Sequence, residues 1–257
     1  MTAQPRNCVL ITAGGSGIGH AMASAFEADG AEVWVTDIDG AALAACPNSW
    51  QRSEIDAADE PSVADLFAQI EETWGSLDTL CANAGIAGPT AAVEDVDLED
   101  WRRCVSVNLE GAFLGAKYAA PMMKRQKSGA IIITSSVSGI MVNPHRAPYV
   151  AAKWGMIGLM KTLAMELGSY NVRANAIAPG PVNGPRMDRV LAAESIAKGI
   201  DAEVLRASYA SGTSMGTFVD ASDIADMAVF LASPRARHVS GQVIAVDGHT
   251  VNPDPKV

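Results

Sequence analysis

The stretch VLITAGGSGIGHAMASAF, residues 9–26, runs an apolar strand into a glycine-rich turn and then into an alanine-rich segment that reads as a helix. Gly14, Gly15, Gly17 and Gly19 supply the backbone latitude and close approach that a strand-to-helix turn needs, while Ile18, Met22, Ala25 and Phe26 give the following helix one apolar side. Such a junction presents free backbone N–H groups and the positive end of a helix dipole, a setting that favours an anion such as a pyrophosphate. The spacing departs from the common G-x-G-x-x-G fingerprint, because starting it at Gly15 and Gly17 puts His20 where the third glycine belongs. A tight turn that binds nothing is the competing reading of glycine density alone.

Outward from this turn, strand-like and helix-like runs alternate to the end of the chain. Strands are expected near residues 7–12, 31–36, 51–55, 77–81, 130–135, 172–178 and 242–246, most of them short continuous apolar runs that suit a parallel sheet covered on both faces. Between them Val63, Leu66, Phe67, Ile70 and Trp74 fall at helical spacing, as do Trp101, Val105, Leu109 and Ala112. The β-α-β-α order predicts an α/β fold: a doubly wound, mostly parallel seven-stranded sheet with helices on both faces and ligands beyond the carboxyl ends of the strands. No repeat, low-complexity tract or linker interrupts the 257 residues, so one domain over residues 1–257 is the simplest organisation, with NPDPKV, residues 252–257, as a loose tail.

Composition narrows the class. With 49% hydrophobic and 19% charged residues the chain reads as globular, and a formal net charge of −10 argues against attraction to nucleic acid or an anionic membrane. The N-terminus has neither a secretory signal nor an apolar run of membrane-spanning length, which reads as a cytosolic chain. Cys8, Cys46, Cys81 and Cys104 include no C-x-x-C pair, and three of them lie in apolar segments, so they read as buried hydrophobes and not as metal ligands or disulfide partners.

The second strand ends in EVWVTDID, which places Asp37 eighteen residues after Gly19, where a carboxylate can accept hydrogen bonds from the adenosine ribose and repel a 2′-phosphate. This favours NAD over NADP; Asp39 reads as a bystander. Farther on, in TSSVSGIMVNPHRAPYVAAKWG, Tyr149 and Lys153 stand four apart, on one helix face. A tyrosine with a pKa of about 10 is a poor proton carrier at neutral pH unless a nearby ammonium stabilises the phenolate, and Lys153 can supply it. Ser136, ending the fifth strand, is the best-placed hydroxyl to polarise a substrate oxygen. Asn108, polar inside an apolar helical pattern, reads as satisfying a helix bulge, holding a water, or simply packing.

These residues resemble the short-chain dehydrogenase/reductase family, in its single-domain branch of about this length, over nearly the whole chain. The family turn T-G-x-x-x-G-x-G aligns with Thr12, Ala13, Gly14, Gly15, Ser16, Gly17, Ile18 and Gly19, with Ala13 in place of the first glycine, a change tolerable if residue 13 keeps a negative φ. CANAG, with Asn83, Ala84 and Gly85, is similar to the family's N-N-A-G motif, with Ala82 replacing its first asparagine and a role mainly in supporting the sheet. Asp56 matches the acidic residue that meets the adenine amino group, with Ala57 beside it. Asn108, Ser136, Tyr149 and Lys153 match the catalytic tetrad, with thirteen residues from Ser136 to Tyr149; Ser135 and Ser138 fit that spacing less well. In APGPV, Pro179, Gly180 and Val182 match the turn that meets the nicotinamide carboxamide, with Gly184 where a threonine is usual. SGQVIAVDG, residues 240–248, resembles the closing strand through which many members pair, so a homotetramer is implied.

The resemblance implies reversible hydride transfer between a carbinol carbon and nicotinamide C4, without a metal, on a small-molecule alcohol or ketone. Tyr149 would act as acid and base, with Lys153 lowering its pKa and holding the nicotinamide ribose. Ser136 would hold the substrate oxygen, and Asn108 a water that relays protons. Cofactor contacts are expected from Gly14, Ser16, Gly17, Ile18, Gly19, Asp37, Asp56, Ala57, Asn83, Ala84, Gly85, Tyr149, Lys153, Pro179, Gly180 and Val182.

The substrate itself is open: a polyol, a sugar, a hydroxy acid or another anionic alcohol. Ser138, His145, Arg146 and Arg186 are the candidate contacts. His145 and Arg146, with Arg186 and Arg189, form either a cationic rim for a carboxylate, sulfonate or phosphate or ordinary ion pairs with Asp188, Glu194 or a neighbouring subunit. Met187, Val190, Leu191, Ile196 and Met215 among glycines suit a lid over residues 183–216, or a plain amphipathic helix. Two other classes compete, a dinucleotide-binding regulator or scaffold without turnover and a nucleoside-cofactor methyltransferase. The first has no use for the tetrad, and the second needs neither the Tyr149/Lys153 pair nor the APGPV turn.

Overall fold

The computed structural model describes residues 7–253. The expectations for the N-terminal segment before residue 7, and for the tail beyond residue 253, lie outside the described residues. Seven strands, β1 (Cys8–Thr12), β2 (Glu32–Asp37), β3 (Gln51–Glu54), β4 (Thr79–Ala82), β5 (Gly129–Thr134), β6 (Val172–Pro179) and β7 (Val243–Val246), form one sheet in the order β3-β2-β1-β4-β5-β6-β7. Every pairing is parallel, with Ile11 facing Val35 on one side and Cys81 on the other.

Parallel strands need covering on both faces, and the central ones carry apolar side chains on both. Leu10, Leu80, Ile131, Ile133 and Ala174 join one core; their neighbours Val9, Ile11, Cys81, Ile132 and Ile177 join the other. Helices α3 (Glu60–Thr73), α5 (Gly111–Gln126) and α6 (Ala147–Leu167) close the first face with Val63, Leu66, Ile70, Met123, Met156 and Met160. On the second, α1 (Gly17–Ala28), α2 (Gly40–Ala44) and α9 (Ala221–Ala232) bring Met22, Phe26, Leu43, Ile224 and Leu231. Trp74 ends the predicted periodicity of α3 as its C-cap and meets Trp34 edge-on, ring centroids 5.4 Å apart.

One helix differs from its spacing. Trp101, Val105, Leu109 and Ala112 predict a continuous helix, whereas α4 (Leu98–Val105) passes into one π turn over Ser106–Glu110 before α5 begins. The cause is Asn108, whose side-chain amide donates to the carbonyl of Cys104 at 2.8 Å and to that of Ile86 at 3.0 Å. That bond takes an acceptor the α-helical ladder would have used, so the turn widens there. The segment after β6 folds as α7 (Pro185–Lys198) and α8 (Ala202–Ser211).

Candidate active site

The glycine turn is held from both neighbouring strands. Thr12 Oγ1 accepts the N–H groups of Asn83 (3.0 Å) and Ala84 (2.9 Å), and the Asn83 side chain donates to the carbonyls of Thr12 and Ala13. On the other side Gly14 N–H donates to the Thr36 carbonyl (2.8 Å) and Gly15 N–H to the Asp37 carboxylate (3.0 Å). These anchors overturn the condition set on residue 13: Ala13 sits at φ 52°, in the left-handed region, where glycine pays no penalty. Gly17 is also left-handed, at φ 55°, and a side chain placed on it would meet nothing within 4 Å. The mouth of α1 is therefore open. Ser16 is its N-cap with a hydroxyl not used for capping, and Ile18 and Gly19 begin the helix.

An open N–H-lined turn at a helix N-terminus, with the Asp37 carboxylate ending the adjacent strand, fits a dinucleotide: pyrophosphate at the turn, ribose at Asp37. Asp39 caps α2 through Ala41 and Ala42 and is spent there. The Asn83 and Ala84 N–H groups are occupied by Thr12, so this motif shapes the cleft and leaves those donors out of it. Asp56 accepts from Ala58 N–H and pairs with Arg103 at 2.9 Å. Burial would raise its pKa, but the Ala58 hydrogen bond and the Arg103 charge together hold it below the usual carboxylate value. Ala57 packs its carbonyl against Gly111. Past Pro179, Gly180 N–H donates to Val246 at 3.0 Å and Val182 bridges to Val219, which fixes the turn after β6. Gly184, where the family pattern has threonine, adopts φ 131°, a conformation closed to threonine without strain.

Asn108, Ser136, Tyr149 and Lys153 meet at the carboxyl ends of β4 and β5. Ser136 leaves β5 in extended backbone and its Oγ accepts Ser138 N–H at 3.1 Å. Its side chain lies near enough to the Tyr149 oxygen to help lower that group's pKa. The Lys153 ammonium lies 5.5 Å from the centre of the Tyr149 ring and donates to the Thr134 carbonyl at 2.9 Å, while Ser135 Oγ holds the Lys153 carbonyl at 3.0 Å. Burial alone would raise the Tyr149 pKa; the charges of Lys153 and Arg186, the Ser136 hydrogen bond and the Arg146 charge outweigh it and hold the phenol below its ordinary value. Burial, with Arg186 adding to it, brings Lys153 down to about 8 against the opposing pull of Tyr149 and Cys104. Asn108 is fully buried, and its Oδ1 has no hydrogen-bond partner. A side chain built on Gly85 would come within 2.5 Å of that oxygen and 3.4 Å of Lys153 Nζ, so both groups face the same space. An acceptor left open there is what a bound water needs.

The residues read as substrate contacts divide. Ser138 Oγ donates to Asn143 Oδ1 at 2.8 Å, and Asn143 reaches the Pro253 carbonyl at 2.7 Å, tying the loop after β5 to the end of the described chain. His145 is exposed at φ 61° and serves the loop through its carbonyl, which accepts Ala91 N–H. Arg146 is not a surface rim residue: only 7% is exposed, and its guanidinium lies 5.1 Å from the Tyr149 ring centre. It pairs at 4.0 Å with the buried Glu194 of α7, one of the ion pairs the sequence left open. Asp188 is taken by Arg206, so it is not the partner of Arg186, which reaches back from α7 to donate to the Gly85 carbonyl at 2.9 Å. Sequence reasoning gave no role to the Thr12 hydroxyl, the Thr134 carbonyl or the Asn143 side chain, because hydrogen bonds between a side chain and distant backbone leave no periodic signal.

A family model described as enoyl-(acyl carrier protein) reductase matches residues 12–249. The chain is 33% identical over 249 residues to a 3-oxoacyl-[acyl-carrier-protein] reductase of Thermotoga maritima, covering 94% of this chain and 96% of the relative. It is 34% identical over 252 residues to a trans-4-hydroxycyclohexanecarboxylate dehydrogenase of Sinomonas cyclohexanicum, covering 93% and 90%. Among solved structures, an NAD+-bound xylitol dehydrogenase superposes with a TM-score of 0.91 at 25% identity, covering 96% of this chain and all of the other.

Proposed function

The chain belongs to the short-chain dehydrogenase/reductase family and is an oxidoreductase of alcohols and ketones, and from that premise we propose that it prefers NAD and that Tyr149, Lys153, Ser136 and Asn108 carry the reaction. The non-catalytic and methyltransferase readings fall away with this membership. What carries the proposal is the acidified Tyr149 phenol, held between the Ser136 hydroxyl and the buried Lys153 ammonium.

In the oxidative direction the Tyr149 phenolate takes the proton of the substrate hydroxyl, whose oxygen Ser136 holds in reach. Lys153 keeps the phenolate accessible near neutral pH. The open Oδ1 of Asn108 orders a water against Lys153, through which the proton leaves; in reduction the same path runs backward. The bound nicotinamide supplies the acceptor or donor of the hydride. Gly14, Ser16, Gly17, Ile18 and Gly19 would hold its pyrophosphate and Asp37 its adenosine ribose, with Asp56, Ala57, Asn83, Ala84 and Gly85 lining the adenine and ribose side. Pro179, Gly180 and Val182 would stand at the carboxamide. Asp37 favours NAD because a 2′-phosphate beside its carboxylate is repelled.

The substrate is a secondary alcohol among polyols, sugars and hydroxy acids; one relative is named for a hydroxycyclohexanecarboxylate. We also propose a homotetramer built on β7, which lies at the sheet edge and offers unpaired backbone groups to a neighbour; a monomeric mass by light scattering would refute it. The reaction is tested by following NADH formation across an alcohol panel, beside Tyr149→Phe and with NADP in place of NAD. Turnover with NAD that falls in Tyr149→Phe by about 100-fold or more is expected. Undiminished turnover in that variant overturns the proton role, and equal use of NADP overturns the cofactor preference.

A further inference from the structure

We infer that Arg146 and Arg186 form the subsite for an oxyanion carried on the substrate, so that the natural alcohol is a hydroxy acid or hydroxysulfonate; this rests on the reading of the site as an alcohol dehydrogenase. Arg146 is the N-cap residue of α6, three residues before Tyr149. A guanidinium carries five N–H donors and stays charged at all working pH values. Here the buried side chain makes one hydrogen bond, from Nη2 to the Ala87 carbonyl at 3.1 Å, and its Nε has no partner. Glu194 stands 4.0 Å from Nη1, beyond hydrogen-bonding distance. Both Glu194 oxygens already accept from Tyr209, at 2.8 and 3.0 Å, and Lys198 lies 3.7 Å away. One carboxylate is thus shared by two cations. Leaving charged donors unsatisfied inside a protein is costly, and a site built this way makes sense when a ligand completes it.

Arg186 supplies the second half. Its side chain is drawn onto the carbonyl of Gly85, the residue whose α-carbon faces both Asn108 Oδ1 and Lys153 Nζ. The guanidinium therefore sits beside the reacting groups, on an exposed helix residue able to move onto a ligand. It lies past the end of β6, whereas the glycine turn that suits the dinucleotide phosphates follows β1 at the other side of the cleft. Two guanidiniums, at the starts of α6 and α7, thus stand around the Tyr149–Lys153 pair, Arg146 at 5.1 Å from the Tyr149 ring centre and Arg186 on the Gly85 carbonyl, each with forked donors suited to a planar or tetrahedral oxyanion.

The test compares NADH formation on 3-hydroxybutyrate, 4-hydroxypentanoate and 5-hydroxyhexanoate with that on their primary amides, which keep the shape and lose the charge, and on the sulfonates that match the acids. The reacting length is expected to show kcat/KM at least about tenfold higher for the anion than for the amide, mainly through KM. In Arg186→Gln and in Arg146→Gln that ratio is expected to collapse toward one, with Kd for NAD held, and the carboxylate and sulfonate arms identify which anion is preferred. Arg186 is exposed, so its variant tests the inference even if the buried substitution fails to fold. Amides or neutral alcohols turned over as well as the anions overturn the inference and leave the dehydrogenase reading intact, and so does a loss confined to NAD affinity. Absence of turnover on every alcohol and ketone, in protein that binds NAD, overturns the underlying reading as well.

Discussion

Ala13→Gly is expected to stabilise this enzyme, an unusual direction for a change to glycine. The alanine holds φ 52° because its carbonyl is gripped by Asn83 and the next residue by Thr36, not because alanine favours that conformation. A left-handed L-residue costs about 1–2 kcal/mol, and the greater freedom of glycine in the unfolded chain returns about 0.4–1 kcal/mol of that. The net gain is about 1 kcal/mol, or roughly 2–4 °C in Tm for a chain of this size. The reciprocal substitution is available four residues on. Gly17 has φ 55°, and an added methyl would touch nothing within 4 Å, so Gly17→Ala carries the conformational penalty without a steric one and should lose about what Ala13→Gly gains.

Thermal and urea unfolding of both variants without cofactor, at one protein concentration, checks the pair. A Tm below wild type for Ala13→Gly, or Gly17→Ala at or above it, would refute the argument. Either result would mean that side-chain contacts, not backbone conformation, set the energy of this turn. Because the two changes share one loop, the double variant should return close to wild-type stability, and a large departure would reveal coupling through the turn.

The lowered Tyr149 and Lys153 pKa values carry a sign. Oxidation needs the phenolate, so its kcat/KM should rise with pH through an apparent value below the ordinary tyrosine figure of about 10, and reduction should fall through the same range. In Lys153→Met the rise should move up toward that figure; a profile left in place would remove the lysine from this role. For residues 183–216, limited trypsinolysis is expected to slow when NAD is added, as α7 closes over the cleft. Equal cleavage with and without NAD would make the segment an ordinary packed layer.

The strands were legible because each is a continuous apolar run long enough to cross a covered sheet, and all seven fall within two residues of the expected bounds. Tyr149 and Lys153 were legible because helical spacing puts them on one face. Asn108 was visible as an anomaly, but its consequence, the π turn, depends on the Cys104 and Ile86 carbonyls, which periodicity does not report. The sign of φ at Ala13 was illegible for a similar reason. It is imposed by Asn83, seventy residues away, through hydrogen bonds from a side chain to backbone. Arg146 reads in the sequence as a surface charge; its burial follows from α7 folding back to present Glu194, a contact between segments whose own patterns say nothing of each other.

The strand order explains why these separate pieces can make one site. From β1 the chain steps outward through β2 to β3, then returns past β1 to β4 and proceeds through β5 and β6 to β7. The loops after β1 and β4 therefore diverge to opposite sides, and a crevice opens between them at the carboxyl edge. Thr12 and Asn83 brace that crevice from its two walls, which leaves the glycine turn and Asp37 on one side. Ser136 after β5, and Arg186 after β6, fall on the other. A dinucleotide lying across the edge would have its phosphates at the first group and its reactive ring at the second. A substrate reaching Tyr149 from that side would come under the charge of the exposed Arg186, which bears directly on which alcohol is accepted.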